Sequence, residues 1–271
     1  LTQAINTPDK IEKFYDLFVC GSDQVWNYKI TNFDKTYFLD FVKDNKKKAS
    51  YAASFGLSEI PNEYISEYSH LLKSFSHLSV RENEGAKIIS DLTGANCETV
   101  LDPTLLLSAD KWLTLTKEKT EKKPYILIYL MSKSEKLIDF AYKLSIKTGM
   151  KVIYISNSLL KVKNFEIKRF SGPEDFLALF KNADFVVTNS FHGIAFSINF
   201  NKNFYVDFLP PPAMVNSRIE NILSIFNLKD RLVINGEING SEQIDFNKVN
   251  EILEIERRKS LEYIKEIVGY D

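Results

Sequence analysis

The chain has 271 residues, 44% of them apolar, and a formal net charge of −1 with acids and bases mixed throughout. That is length enough for two domains of ordinary size and apolar content enough for sizeable cores. The balance excludes the basic tail or Arg/Lys stripe of a nucleic-acid binder, and no apolar run reaches the length needed to span a membrane. The two cysteines, Cys20 and Cys97, make no CxxC pattern, which points to a reducing compartment rather than a disulfide scaffold.

In chain order, Asp16–Cys20 reads as a buried strand ending at Gly21, and Ala49–Ser54 as another ending at Phe55-Gly56. The basic run Lys46-Lys47-Lys48 between them reads as a solvated loop. Asn62–Phe75 is predicted helical, with Tyr64, Tyr68, Leu71, Leu72 and Phe75 on one face. A short strand at His77–Val80, a helix at Glu82–Leu92 and a strand at Thr99–Leu101 follow, the last cut off by Asp102-Pro103. Asp110–Leu115 reads as a short helix. Lys117–Lys123 is charged without apolar period, so the domain boundary is expected there, with lobes 1–116 and 117–271.

The second half alternates more regularly. Strands are predicted at Pro124–Leu130, Lys151–Ile155, Asp184–Thr188 and Asn203–Val206. Helices are predicted at Ser134–Thr148 with a Gly149 C-cap, Pro173–Asn182, Phe191–Phe200, Ser217–Asn227 and Phe246–Val268. Such alternation with continuous apolar strands means an α/β chain with parallel sheets covered on both faces. Two lobes in tandem would leave a cleft, and ligands of open parallel sheets bind beyond the carboxyl ends of the strands.

Four strand ends carry dense polar sequence. Gly21-Ser22-Asp23-Gln24-Val25-Trp26-Asn27 supplies a turn glycine and several hydrogen-bonding side chains; it reads equally as a capped turn anchored by a buried Trp26. Ser54-Phe55-Gly56 is the second. The third is Ser79-Val80-Arg81-Glu82, where Arg81 could fork onto a phosphate or carboxylate or pair with Glu82 or Glu84. Asp102-Pro103-Thr104 reads as a strand terminator. The fourth polar end is the strongest: Asp184–Thr188 runs into Asn189-Ser190-Phe191-His192-Gly193, where an apolar helix begins. A helix N-terminus offers N–H groups and a positive dipole end to an anion. Ser190 suits the N-cap, and His192 falls in the first turn. A dianion bound there would favour its protonated form, a general acid; the other reading is a histidine that only caps the helix. Arg218, opening the helix after Pro210-Pro211-Pro212, is a further cation, while Lys202 reads as a surface turn.

The other histidines, His70 on a predicted helix and His77 just before a strand, have no polar neighbours that suggest a site, and no His/Cys spacing suits a metal. GxGxxG, GxxxxGK[ST] and GxSxG are absent from the sequence, against a dinucleotide oxidoreductase, a P-loop NTPase and an α/β-hydrolase. No cofactor is expected.

In order, the segments Phe18–Asn27 (FVCGSDQVWN), Ala49–Gly56 (ASYAASFG), Leu78–Gly85 (LSVRENEG), Val100–Leu107 (VLDPTLLL) and Ala183–Ile198 (ADFVVTNSFHGIAFSI), followed by Ser217-Arg218, resemble the polysaccharide pyruvyl transferase family. The resemblance implies two Rossmann-like lobes in a GT-B-like arrangement, with phosphoenolpyruvate as donor and a sugar, commonly within a lipid-linked or nucleotide-linked glycan precursor, as acceptor of a pyruvate ketal. The family's catalytic histidine matches His192. Asp23 is then the candidate base or acceptor contact. Arg81 and Arg218 are the candidate anion clamps, and Ser22, Gln24, Asn189, Ser190 and the Gly193 N–H the further candidate contacts. The family usually opens with a strand, a Gly/Asn-rich loop and a helix well before GSDQ; nothing here matches, so the first lobe is expected to lack its opening βα unit. The competing readings are a nucleotide-sugar glycosyltransferase and a non-catalytic glycan-binding protein. No oligomeric state is legible. The donor is a cytoplasmic metabolite, which implies a cytoplasmic location, peripheral to the inner face of a membrane where the acceptor is lipid-linked.

Overall fold

The computed structural model describes residues 11–116, 123–156, 162, 164–169, 172–209, 216–238 and 243–269. Within them the elements run β1 (Phe18–Cys20), α1 (Tyr28–Thr31), β2 (Lys48–Ser50), α2 (Asn62–Leu72), β3 (Ser79–Val80), α3 (Asn83–Thr93), β4 (Glu98–Thr99), α4 (Pro103–Leu106) and α5 (Ala109–Leu113). Then come β5 (Tyr125–Tyr129), α6 (Glu135–Thr148), β6 (Lys151–Ile155), β7 (Glu166–Lys168), α7 (Pro173–Asn182), β8 (Phe185–Thr188) and α8 (Phe191–Asn199). The chain closes with β9 (Asn203–Val206), α9 (Ser217–Ile225), β10 (Val233–Ile234), β11 (Glu237–Ile238) and α10 (Phe246–Val268). The fold class is the mixed α/β class expected, with parallel sheets.

Contacts group the chain into two compact units: residues up to Pro103 with Ile255 onward, and Thr104–Glu254. Most of the charged segment where the sequence places a boundary, and the Pro210-Pro211-Pro212 loop, lie outside the described residues. The division after Pro103, and the assignment of the last part of α10 to the first unit, have a hydrogen-bonding reason. Ser260 Oγ accepts from Leu101 N–H at 2.9 Å, and Tyr263 Oη donates to the Ser50 carbonyl at 2.8 Å. Arg257, Ser260, Tyr263 and Ile267 are buried at the three-to-four spacing of one helical face.

In the first unit β1 pairs in parallel with β2, and β3 with β4. Isolated parallel bridges between Ala49 and His77 and between Ala53 and Val80 join the pairs, so the strands lie in the order β1-β2-β3-β4. The core is aromatic. Trp26, fully buried, stacks on Phe38 at 5.7 Å and meets Phe55 at 5.3 Å. Its ring N–H donates to the Tyr37 carbonyl at 3.0 Å, which meets the requirement that a buried indole keep a partner. Lys48 is not solvated as the basic run suggests. It is buried at the start of β2 with Nζ on Ser74 Oγ at 3.2 Å.

The second unit holds a five-stranded parallel sheet in the order β7-β6-β5-β8-β9. β5 is central, and four of its five residues are buried, as a strand covered on both faces requires. Ile126, Ile128, Val152, Tyr154, Val187 and Tyr205 pack with Leu137, Phe140, Ala141 and Leu144 of α6 on one face. Tyr129 meets Phe176 and Phe180 of α7 through the other. From β5 the chain steps outward to β6 and β7, then returns to the other side of β5 as β8. That reversal is the topological switch point, where open α/β sheets bind ligands.

Candidate functional site at the switch point of the second sheet

The loops after β5 and β8 flank the switch point, and one side chain ties them together. Asn189 Oδ1 accepts from Met131 N–H at 2.8 Å, and Asn189 Nδ2 donates to the Ser132 carbonyl at 2.8 Å. Asn189 is fully buried, so both ends of its amide are used inside the protein. Thr188 adds a second tie: its Oγ1 donates to the Tyr129 carbonyl at 2.6 Å and accepts from Ser190 N–H at 3.0 Å.

Ser190 is the N-cap of α8, as its type predicts. Its Oγ accepts from Gly193 N–H at 3.3 Å. The cap therefore engages both the hydroxyl and the N–H that the sequence offered to an anion. Gly193 has a different necessity. A Cβ there would lie 2.2 Å from Thr188 Oγ1, so only glycine lets α8 approach β8 this closely. His192 stands in the first turn of α8, half-buried, its ring edge-on to Phe191 at 5.5 Å. It lines an open cavity of about 320 Å³ with Trp112, Tyr129, Pro173, Phe176, Leu177 and Phe196. The Tyr129 hydroxyl is raised above the ordinary phenol range by burial, with a hydrogen bond to Ser190 opposing. Arg218 is buried in the first turn of α9, a helix packed against α8.

The strand ends of the first unit converge as well. Arg81, at the end of β3, is buried with Nη1 on Asp102 Oδ2 at 2.6 Å. Ser22 Oγ donates to the same oxygen at 2.9 Å. Arg81 Nη2 lies 3.4 Å from Asp23 Oδ1, whose side chain is 64% exposed. Asp23 adopts φ 87°, a conformation that costs a non-glycine residue energy and is held by its surroundings. Its carbonyl accepts from Ser54 N–H at 2.9 Å and its carboxylate from Gln24 N–H at 2.9 Å. Gln24 Oε1 accepts from Asn27 Nδ2 at 3.1 Å and packs on Gly56, where a Cβ would fall 2.1 Å away.

Two carboxylates in this cluster escape the sequence reading. Arg81 pairs with Asp102, a partner that the sequence reading did not offer. Asp102 is buried where the sequence suggested only a strand terminator; a lone Asp-Pro after a strand carries no sign of a distant arginine. Glu82 instead collects the Ser54-Phe55-Gly56 loop. Its Oε1 accepts from Ser54 Oγ at 2.9 Å, Phe55 N–H at 3.1 Å and Gly56 N–H at 3.2 Å. Among the described residues no group of His, Cys, Asp and Glu could hold a metal ion, and no helix is long and apolar enough to cross a membrane.

A family model described as polysaccharide pyruvyl transferase matches residues 3–206. No curated protein matches the chain in sequence. In structure the chain is similar to a UDP-GlcNAc 2-epimerase from Methanocaldococcus jannaschii, at 15% identity over 98% of this chain and 81% of that one, with TM-score 0.56. It is similar also to S. aureus MnaA, solved with UDP, at 14% identity over 99% and 84% of the two chains, again with TM-score 0.56. Likeness at these identities concerns the fold, here of the GT-B type.

Proposed function

Because the chain belongs to the polysaccharide pyruvyl transferase family, we propose that it moves a pyruvyl group from phosphoenolpyruvate to a sugar of a surface-polysaccharide precursor, forming a pyruvate ketal. The family makes it a polysaccharide-modifying transferase; the donor and the product are the proposal. The observation that carries it is the position of His192, in the first turn of α8 at the switch point and on the wall of a cavity.

In this reading a protonated His192 gives its proton to the methylene carbon of phosphoenolpyruvate, and the neighbouring carbon becomes electrophilic. One sugar hydroxyl adds to that carbon and yields its proton to a base. A second hydroxyl then forms the other C–O bond as the bond to the phosphate oxygen breaks, and phosphate departs with the remaining proton. Proton transfer by a positioned side chain contributes about 10²–10⁴-fold. The positive end of α8 and Arg218 favour the donor's negative charge. Asn189, Ser190 and Gly193 act by holding the turn that presents His192. In the first unit, Asp23 is the proposed base or acceptor contact, flanked by Ser22 and Gln24. Arg81 remains a proposed cation, and its bond to Asp102 leaves Nη2 directed at Asp23. With a cytoplasmic donor the reaction is assigned to the cytoplasm, at the membrane face where the acceptor is lipid-linked.

Thermal unfolding with phosphoenolpyruvate, UDP and inorganic phosphate, followed by turnover of His192→Ala, tests this. A ligand that binds only the folded state stabilises it by about 2.7 kcal/mol at a hundredfold excess over its Kd. The expected result is a shift specific to phosphoenolpyruvate, and a His192→Ala protein that keeps its circular dichroism and loses ketal formation. Stabilisation by UDP alone, or full turnover by His192→Ala, refutes it.

A further inference from the structure

The cavity beside His192 has walls of unusual chemistry for a site whose donor carries a phosphate and a carboxylate. Four of its seven lining residues are aromatic: Trp112, Tyr129, Phe176 and Phe196. Pro173, Leu177 and His192 complete the lining. Neither Lys nor Arg is among them. A dianion buried against such walls would lose its hydration without gaining partners, at heavy cost. This lining suits an occupant with an apolar face better than it suits a dianion. The volume of about 320 Å³ lies at the small end of ligand pockets.

The rings are fixed in place. Phe176 meets Tyr129 edge-on at 5.1 Å, Phe196 edge-on at 5.5 Å and Phe180 at 4.5 Å. Trp112 meets Phe196 edge-on at 5.3 Å, and its ring N–H is held by the Thr104 carbonyl at 2.9 Å. These ring-on-ring contacts hold the aromatic lining in place before any ligand arrives.

We propose that this cavity is the subsite for the acceptor sugar, a neutral pyranose whose C–H face packs on the aromatic wall while its hydroxyl edge meets His192 and Tyr129. The assignment rests on the pyruvyl-transfer reading only for the statement that the acceptor is a sugar. It places the acceptor in the second unit, with the reacting hydroxyls at the histidine. The donor's charged groups then lie outside the cavity.

The chain has two tryptophans, Trp26 fully buried in the first unit and Trp112 on the cavity wall. Intrinsic fluorescence therefore reports the subsite without phosphoenolpyruvate or turnover. The probes are methyl glucoside, methyl galactoside and N-acetylglucosamine, taken to about 100 mM because a single ring binds weakly. The controls are UMP for an aromatic base and 1-octanol for an alkyl chain. The expected result is saturable quenching by at least one pyranoside, absent in Trp112→Phe and about tenfold weaker in Phe176→Ala. Saturation-transfer NMR on the unaltered protein should mark the C–H protons of the same sugar, a readout that needs no variant. Quenching by UMP or octanol with none by any pyranoside overturns the proposal, as does the absence of saturable quenching by all of them. If sugars bind and phosphoenolpyruvate does not stabilise the protein, the donor reading fails while the subsite stands; the reverse pair of results separates them equally well.

Discussion

Replacing Gly193 by alanine probes the contact on which the His192 turn depends. The added Cβ would lie 2.2 Å from Thr188 Oγ1, 3.0 Å from its Cβ and 3.1 Å from its Cγ2. Thr188 cannot simply rotate away. Its Oγ1 donates to the Tyr129 carbonyl at 2.6 Å and accepts from Ser190 N–H at 3.0 Å, and it is fully buried. Turning it gives up both bonds, each worth about 1 kcal/mol net, and displacing α8 instead costs the roughly 1–3 kcal/mol of overpacking. Helix propensity works in the opposite direction by about 1 kcal/mol. The expected destabilisation of Gly193→Ala is therefore about 1–2 kcal/mol. Urea unfolding followed by circular dichroism measures it, within a double-mutant cycle with Thr188→Ala. Thr188→Ala removes Oγ1 and Cγ2, so the double variant should fall short of the summed losses by about 1–2 kcal/mol. A Gly193→Ala protein within about 0.5 kcal/mol of the parent, or strict additivity in the cycle, refutes the close-approach argument.

Other outcomes follow from the same geometry. Glu82→Ala removes one oxygen that accepts three hydrogen bonds and should lower stability by about 3 kcal/mol, read from the shift of the urea midpoint. Asp102→Ala leaves Arg81 buried without its 2.6 Å carboxylate partner and should cost about 3–5 kcal/mol in the same assay. Asn189→Asp puts an oxygen against the Ser132 carbonyl in place of a donor; a loss of about 1–3 kcal/mol is expected, with faster hydrogen exchange at Met131. Burial pushes the Cys20 thiol from 9.0 to about 12. Its raised value means that the unfolded chain releases the proton first. The contribution is complete below pH 9 and is lost as pH rises from there toward 12. Cys20→Ala should flatten the alkaline fall in stability, and Cys20 in the native protein should resist iodoacetamide at pH 8.

Much of the local structure was legible because it is written in short-range signals. The apolar runs at residues 125–129, 151–155, 185–188 and 203–206 became the strands expected of them. Ser134 caps α6 with its Oγ on Leu137 N–H, and Gly149 ends the helix at φ 70°. Asn235-Gly236, both at positive φ, is a further short-range signal: it turns β10 into β11, the two-residue hairpin such a dipeptide favours. β7 carries no such signal. An edge strand of three half-buried residues has no apolar run to announce it.

The sequence by itself determined the α/β alternation, the family resemblance and the placement of His192 at a strand-to-helix turn. All three depend on residues adjacent in the chain, where hydrophobic period and capping chemistry act. Tertiary structure alone decided which of the strand-end residues have their hydrogen bonds taken up. Pairing of Arg81 with Asp102, collection of the Ser54–Gly56 loop by Glu82 and the tying of two loops by Asn189 join residues 21 to 58 positions apart. No periodicity connects such positions. The lengths and order of the intervening strands and helices bring them together, and burial then favours the pairings that satisfy most of their polar atoms.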